Sequence, residues 1–553
     1  MPNGAQALMK TLADAGIEVC FSNPGTSEMH FVAALDDEPR MRAVLALFEG
    51  VATGAADGYA RMADKPAAVL LHLGCGLGNG LANLHNARKG KVPIVNIVGD
   101  HATYHQPLDA QLQSDIETVA RNVSPNFVRS SRRTEDLCQD AIDAIVAAIG
   151  PPGEVATLIL PADVSWGDGG QPAPPPELPA PQAADDQTVA AIVEAIGGKG
   201  STGLLLGGRA LREPALLAAA RIAAHSGVKI FSEVFPTRLE RGAGRPAVER
   251  LAYLAELATL QLSGIDHLVL VDAKKPVSFF AYPGKPSELV PKHCEVHTLS
   301  DPTQDPRASL EKLVSALGAE NAEPGLQAAG RPGRPRGRLS AEKVCKAIGH
   351  LLPEAAIVVD EANTSGLMLP VMTAGAPKHD LITLTGGAIG QSLPNAVGAA
   401  IACPDRPVIA LVGDGSAMYT NQALWTMARE QLNVTTVVFA NAAYSILNVE
   451  LERVGAKDSG GPKARSQLDL TGPGLDFARL AQGMGVHAVR TETAEDFCKA
   501  MEYALAHPGP HLIEAVIPEA LNRTKRRVLP WLLRSLPHLP KPLARALKRK
   551  LAP

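Results

Sequence analysis

Residues 408–412, Val-Ile-Ala-Leu-Val, form an apolar, β-branched run that predicts a strand buried on both faces. The run stops at Gly413-Asp414-Gly415-Ser416. A helical pattern follows over about 421–431, and residues 434–440 predict a second strand that delivers Asn441. One βαβ unit thus places Asp414 and Asn441 at the carboxyl ends of two parallel strands, where open α/β sheets take their ligands. The same alternation recurs upstream. Residues 4–15 predict an amphipathic helix, 19–21 and 44–48 strands, 51–62 a helix of small residues, and 67–72 and 94–100 further strands. Between the first two strands, Asn23-Pro24-Gly25-Thr26-Ser27-Glu28 predicts a turn and a helix start, with Thr26 or Ser27 as N-cap and Glu28 in the first turn. Strands at 203–207, 228–231, 267–272 and 356–360 also alternate with helices. The fold class predicted is α/β, built from doubly wound parallel-sheet domains.

Two stretches break the pattern. Residues 167–186 are rich in Pro, Gly and Ala, and 321–338 contain Gly-Arg-Pro-Gly-Arg-Pro-Arg-Gly; both read as extended linkers. They divide the 553 residues into domains at 1–166, 187–320 and 339–520, followed by a basic tail at 521–553.

Composition adds constraints. Hydrophobic content of 46% with 20% charge is that of an ordinary globular protein, and no apolar run reaches the length of a membrane span. The first residues lack the basic and apolar regions of a secretory signal, and the seven cysteines show no CxxC spacing. Free thiols in a reducing, cytoplasmic setting are expected. A net charge of −4 argues against a nucleic-acid partner. The tail departs from this balance, with ten Lys or Arg and no acid among interleaved leucines. It reads either as a solvated extension or as a weak peripheral contact with anionic lipid, against which Pro530, Pro537, Pro540 and Pro542 count by breaking any long helix.

The candidate chemistry lies at strand ends. Asp414 and Asn441 offer oxygen ligands for a hard cation such as Mg²⁺. Gly415 and Ser416 open a helix whose N–H groups suit a phosphate, although Gly-Asp-Gly is also an ordinary turn. Glu49 follows five apolar residues and precedes a helix; capping is one reading and a functional acid the other. Residues 74–80, Gly-Cys-Gly-Leu-Gly-Asn-Gly, read as a glycine-rich turn after a strand, but the spacing is not GxGxxG and no acid follows for a dinucleotide ribose. His72 ends that strand. His101 and His105 have helical metal spacing but no third ligand in sequence.

The GDGS motif, with Asn441 standing 27 positions after Asp414, resembles the diphosphate–Mg²⁺ motif of thiamine diphosphate (ThDP) enzymes. Phe48-Glu49-Gly50-Val51-Ala52-Thr53-Gly54-Ala55-Ala56-Asp57-Gly58-Tyr59-Ala60-Arg61 resembles that family's glutamate segment. The resemblance covers about 1–520 and implies pyrimidine-binding, middle and diphosphate-binding domains in that order. It implies Asp414, Asn441 and the Ala443 carbonyl as metal ligands. Asn363, Thr364, Gly413, Gly415, Ser416 and Tyr444 would lie at the diphosphate. Gly387 would accept from the 4′-amino group, and Ile389 would hold the cofactor bent. Glu49 would protonate N1′ of the aminopyrimidine so that the 4′-imino group becomes a base, a role for which burial suits a carboxylic acid. Thr26 and His72 resemble the substrate-contacting serine and histidine of benzoylformate decarboxylase, whereas that enzyme's second active-site histidine falls on Phe279 or Phe280.

The resemblance implies decarboxylation of a small-molecule 2-oxo acid. The enamine then attacks a second carbonyl, as in an acetolactate synthase-like carboligase, or is protonated to an aldehyde, as in the benzoylformate decarboxylase type. A catalytically silent ThDP-binding paralogue is the reading of another class, and the intact Glu49 argues against it. Asn448-Val449-Glu450 replaces the Gln-Trp pair of acetolactate synthases, and no Arg-Phe-Asp-Asp-Arg signature is present, so FAD is not expected. A homodimer or homotetramer is expected, with Glu49 serving ThDP held by the neighbouring subunit.

Overall fold

The chain, described here as a computed structural model, is defined over residues 2–456 and 460–519. The basic tail expected at 521–553 lies outside the described residues.

Three mostly parallel sheets carry the fold. The first contains β1 (Val19–Asn23), β2 (Arg42–Leu45), β3 (Ala67–Leu71), β4 (Ile94–Asp100), β5 (Val128–Ser130) and β6 (Val155–Pro161), in the order β2-β1-β3-β4-β6-β5. The second contains β7 (Thr202–Leu206), β8 (Lys229–Ser232), β10 (Glu249–Arg250), β11 (His267–Val271) and β12 (Glu295–Ser300), in the order β10-β8-β7-β11-β12. The third contains β13 (Ile357–Glu361), β14 (His379–Thr383), β15 (Val408–Gly413), β16 (Val434–Ala440), β17 (His487–Thr491) and β18 (His511–Val516), with β9 (Leu239–Arg241) added antiparallel at its edge. The central strands are buried on both faces, as their unbroken apolar runs require.

Several local expectations are corrected. The strand at 44–48 is instead β2, Arg42–Leu45. It is an edge strand, and after Ala46 donates to Ser22 the ladder ends, leaving Leu47 half exposed. The following helix begins at Glu49 itself (Glu49–Ala63), not at 51. The glycine-rich turn at 74–80 lies within the helix Leu73–Lys89. Gly74 lets the helix approach Ser114 closely, since a Cβ there would fall 2.0 Å from Ser114 Oγ. The helix expected over 421–431 is present but shorter, Ala423–Arg429, and a separate single turn, Asp414–Ala417, precedes it, with Thr420 Oγ1 donating to Gly390 O at 2.9 Å between the two.

β9 was not visible in the sequence because its neighbourhood, Arg238-Leu239-Glu240-Arg241, is charged. Its place is set by Arg238, which donates to the buried Asp380 at 2.6 Å, and by the Leu239–Leu381 pairing. The strand therefore ties a segment assigned to the middle domain into the third sheet.

The first and third sheets meet where the helix Glu49–Ala63 packs on Ser392–Ala402. Cβ atoms on Gly58 and Gly398 would fall 2.1 and 1.8 Å from backbone oxygens of the opposing helix, so only glycine permits this approach. The fully buried Arg61–Asp57 pair is satisfied across the interface, Arg61 by Thr383 O at 2.9 Å and Asp57 by Gln391 Nε2 at 2.8 Å. A buried ion pair needs such further partners to offset its desolvation.

His379, at the start of β14, is buried with Nδ1 on Pro377 O at 2.7 Å. Burial first, and then the Arg241 guanidinium, hold its imidazole down at about 4. Protonation therefore favours the unfolded chain. The stability that a neutral His379 provides is complete above the unfolded value of about 6.5 and is lost as pH falls from there towards 4. Relative to wild type, His379→Gln should remove about 2 kcal/mol of the stability lost between pH 7 and pH 5. Urea midpoints at the two pH values would read this; an unchanged difference would refute it.

Candidate active site

β15 and β16 run parallel, with Gly413 opposite Phe439, so Asp414 and Asn441 emerge at neighbouring strand ends. Asp414 is only 4% exposed. Its Oδ1 accepts from the Gly415 N–H at 2.8 Å, and its Oδ2 accepts from the Asn441 and Ala442 N–H groups at 2.9 and 2.6 Å. Burial pushes the carboxyl pKa up from its ordinary value, while those N–H groups oppose the rise. Among the described residues, no Lys, Arg or His side chain forms an ion pair with it.

Ala442 adopts φ +56° and turns the chain back, placing the Ala443 N–H on Asn441 Oδ1 at 3.0 Å. The Ala443 carbonyl accepts from the Ser445 N–H at 2.9 Å. Asn363, also at positive φ, opens the 3₁₀ turn Asn363–Gly366 that contains Thr364, and its Nδ2 reaches Ser416 Oγ at 3.4 Å. The Tyr444 ring lies where a Cβ on Gly415 would be, 2.2 Å from Cε1. The residues expected to hold a metal diphosphate are thus gathered from three strand ends. A buried carboxylate without a cationic partner, an amide oxygen and a backbone carbonyl form an all-oxygen donor set that fits a hard cation.

Glu49 is half-buried at the N-terminus of its helix and accepts from Asn79 Nδ2 at 3.0 Å. His72 follows β3 on the same side; a Cβ on Gly76 would lie 3.2 Å from Glu49 Oε1 and 3.5 Å from His72 Cβ. His72 Nδ1 is 2.8 Å from Glu28 Oε2 and 3.4 Å from Ser27 Oγ. Glu28 is 1% exposed and also accepts from the Gly25 N–H at 2.7 Å and from Ser27 Oγ at 2.7 Å. Neither Thr26 nor Ser27 caps the turn: Gly25 occupies the N-cap, and Glu28 reaches back to it. Thr26 is exposed, and Ser27 is the hydroxyl that meets His72. Sequence reasoning placed Glu28 only as a first-turn acid; its pairing with His72, 44 residues away, carried no local signal. His101 and His105 lie ring to ring at 5.3 Å.

Gly387 has φ +78°, and the Phe279 ring packs against it. Ile389 is half-buried. The loop that carries them is held by Asn86, whose side chain donates to Ala388 O at 2.8 Å and accepts from its N–H at 3.1 Å, and by His85 on Gly386 O at 3.2 Å. Glu361 accepts from the Gly390, Gln391 and Ser392 N–H groups at 2.6, 2.9 and 2.7 Å. Asn86 and Glu361 were not foreseen. Phe235, Tyr253 and Phe280 surround Phe279 with ring centroids 5.0–5.8 Å away, an aromatic cluster in a chain with only 4% aromatics.

Residues 2–120 match the sequence model of the thiamine pyrophosphate enzyme N-terminal TPP binding domain, and residues 365–515 that of the C-terminal TPP binding domain. A Mycobacterium tuberculosis protein provisionally named acetolactate synthase large subunit IlvX is 56% identical over 524 residues, which cover 94% of this chain and all of the relative. The chain belongs to the thiamine diphosphate enzyme family. Benzoylformate decarboxylase of Pseudomonas aeruginosa is 29% identical, covering 90% of this chain and 96% of that one. The solved structure of a Rhodococcus jostii RHA1 ThDP-dependent 4-hydroxybenzoylformate decarboxylase superposes with a TM-score of 0.81 at 24% identity, over 94% of this chain and 99% of that one. The shared fold is therefore that of the ThDP enzymes, with their three-domain α/β arrangement. Among the described residues, no helix is long and apolar enough to cross a membrane. All seven cysteines are unpaired.

Proposed function

We propose that the chain is a ThDP- and Mg²⁺-dependent enzyme that decarboxylates a 2-oxo acid and transfers the remaining acyl fragment to a second carbonyl. The observation that carries the cofactor assignment is the buried Asp414, which pairs with no cationic side chain among the described residues and accepts from the backbone of the turn that holds Asn441 and Ala443. The transfer step rests on the 56%-identical relative and its provisional name.

Asp414, Asn441 and the Ala443 carbonyl would hold the metal, and Asn363, Thr364, Gly413, Gly415, Ser416 and Tyr444 the diphosphate. Gly387 and Ile389 would hold the pyrimidine. When bound, ThDP supplies the nucleophilic carbon and the electron sink for loss of CO₂. Glu49 holds a proton for the pyrimidine, and its helix keeps that carboxyl fixed. Glu28 accepts from His72 Nδ1–H, which sets the tautomer and leaves Nε2 free to pass a proton in the space beside Glu49.

The site is proposed to assemble between subunits. Asn79, which holds Glu49, and Asn86, which holds the Gly387 loop, lie on one helix, roughly 10 Å apart along its axis. Asn83, between them, donates to Gly50 O at 2.7 Å and to Gly390 O at 3.3 Å, so one chain packs these stretches together. The proposed homodimer or tetramer of dimers, with Glu49 serving cofactor held by the neighbouring subunit, rests on membership of the family.

The Glu28–His72 pair favours a second reading, in which the fragment is protonated to an aldehyde. Product analysis across pyruvate, branched and aromatic 2-oxo acids, with and without an aldehyde acceptor, separates the two. Transfer predicts a 2-hydroxy ketone as the main product, with a product ratio that His72→Ala leaves unchanged. Simple decarboxylation predicts aldehyde alone, released about 10²-fold more slowly by His72→Ala. No turnover on any acid despite bound ThDP would overturn both and leave the silent paralogue.

A further inference from the structure

A second cluster of metal-ligating side chains lies in the second sheet, on strands other than those that carry the proposed ThDP site. β12 is the edge strand of the second sheet, paired parallel to β11 with His267 opposite Glu295. Glu295 and His297 stand two residues apart on β12 and so point to one face, the face that also carries Val269, Val271 and Leu299 into the core. His267, opposite Glu295, points the same way. Their ligand atoms all lie within 4.8 Å of one another. His267 Nδ1 is 3.2 Å from His297 Nε2 and 3.8 Å from Glu295 Oε2.

These spacings resemble a ligand edge. Zn–N bonds of about 2.0–2.1 Å at tetrahedral angles put neighbouring ligand atoms roughly 3.3 Å apart. Both imidazoles are half-buried and held by strand register, whereas Glu295, with its side chain 68% exposed, can close on an ion by rotating about its own bonds. Two imidazoles and one carboxylate suit a borderline divalent transition ion, not Mg²⁺ or Ca²⁺, which prefer all-oxygen shells. From these observations we infer that His267, Glu295 and His297 form a zinc site at the rim of the second sheet. The ion would clip the edge strand β12 to β11 and keep one position open to solvent. The site shares no residue with the proposed ThDP centre and does not depend on the reading of its chemistry.

The same 3.2 Å separation also suits a hydrogen bond between two neutral rings, and the experiment distinguishes the two. Full-length protein without a histidine tag, saturated with ThDP and Mg²⁺ to occupy the Asp414 site, is dialysed against Zn²⁺ at neutral pH. Wild type should hold one zinc per chain more than His267→Ala/His297→Ala, and Glu295→Gln should bind that zinc at least about tenfold more weakly. ThDP binding should be unchanged in all three, which also reports that the variants are folded. Equal zinc content in wild type and the double variant, or an unaltered zinc affinity in Glu295→Gln, would overturn the site.

Discussion

Asp414→Asn is expected to lower ThDP affinity in the presence of Mg²⁺ by roughly 10²-fold and to abolish turnover. The change removes the only formal charge of the proposed cation site. It also turns an acceptor-only group into one that presents N–H donors to the Asn441 and Ala442 N–H groups, which now donate to Oδ2 at 2.9 and 2.6 Å. Hydrogen bonds to a charged acceptor contribute about 1.5–3 kcal/mol each, and 1.4 kcal/mol is a factor of ten in binding. The fold without cofactor should survive, because neutralising a carboxyl whose pKa burial already raises relieves a desolvation cost while the bonds are lost. Titration calorimetry with ThDP and Mg²⁺, alongside thermal unfolding of the cofactor-free protein, checks both halves. Wild-type affinity in the variant would remove Asp414 from the site.

Glu49→Gln is expected to leave ThDP affinity within a few-fold of wild type and to reduce turnover by about 10²–10⁴-fold, the range of a lost general acid–base group. Glutamine preserves the shape and can still accept from Asn79, but it cannot exchange a proton with the pyrimidine. A kcat near wild type on a good 2-oxo acid would show that Glu49 is only the first-turn acid of its helix. Combined, the two variants test the shared site. If Glu49 serves cofactor on the neighbouring subunit, a heterodimer of Glu49→Gln and Asp414→Asn chains contains one intact site. Random mixing would then restore about a quarter of wild-type activity. Sites built within one chain would restore none.

Much of the architecture around the proposed cofactor half was legible in the sequence, because a strand buried on both faces must be continuously apolar and a carboxylate or amide directly at its end stands out. The 408–412 run lies in β15, which extends one residue further to Gly413, the 434–440 run is β16 as predicted, and Glu49 begins a helix within the Phe48–Arg61 segment. The substrate half was less legible. The resemblance pointed to Thr26 and His72 at the substrate, but no local pattern showed that the 3₁₀ turn brings Ser27 and the buried Glu28 to His72.

The sequence by itself determined the alternation of strands and helices, the identity of the residues at the strand ends and the family they point to, since these depend on local periodicity and on residue type at fixed spacing. Only the tertiary structure decided what depends on segments distant along the chain. It placed the glycine-rich stretch within the helix Leu73–Lys89, with Gly74 packed against Ser114. It drew the charged β9 into the third sheet through Arg238 and Asp380. It fastened the Gly387 loop with Asn86, which lies 302 residues from Ala388. And it set His267 beside His297 across two strands. Each of these is a contact between segments distant along the chain whose partner no local pattern encodes, and packing or hydrogen bonding fixes it once the sheets have formed.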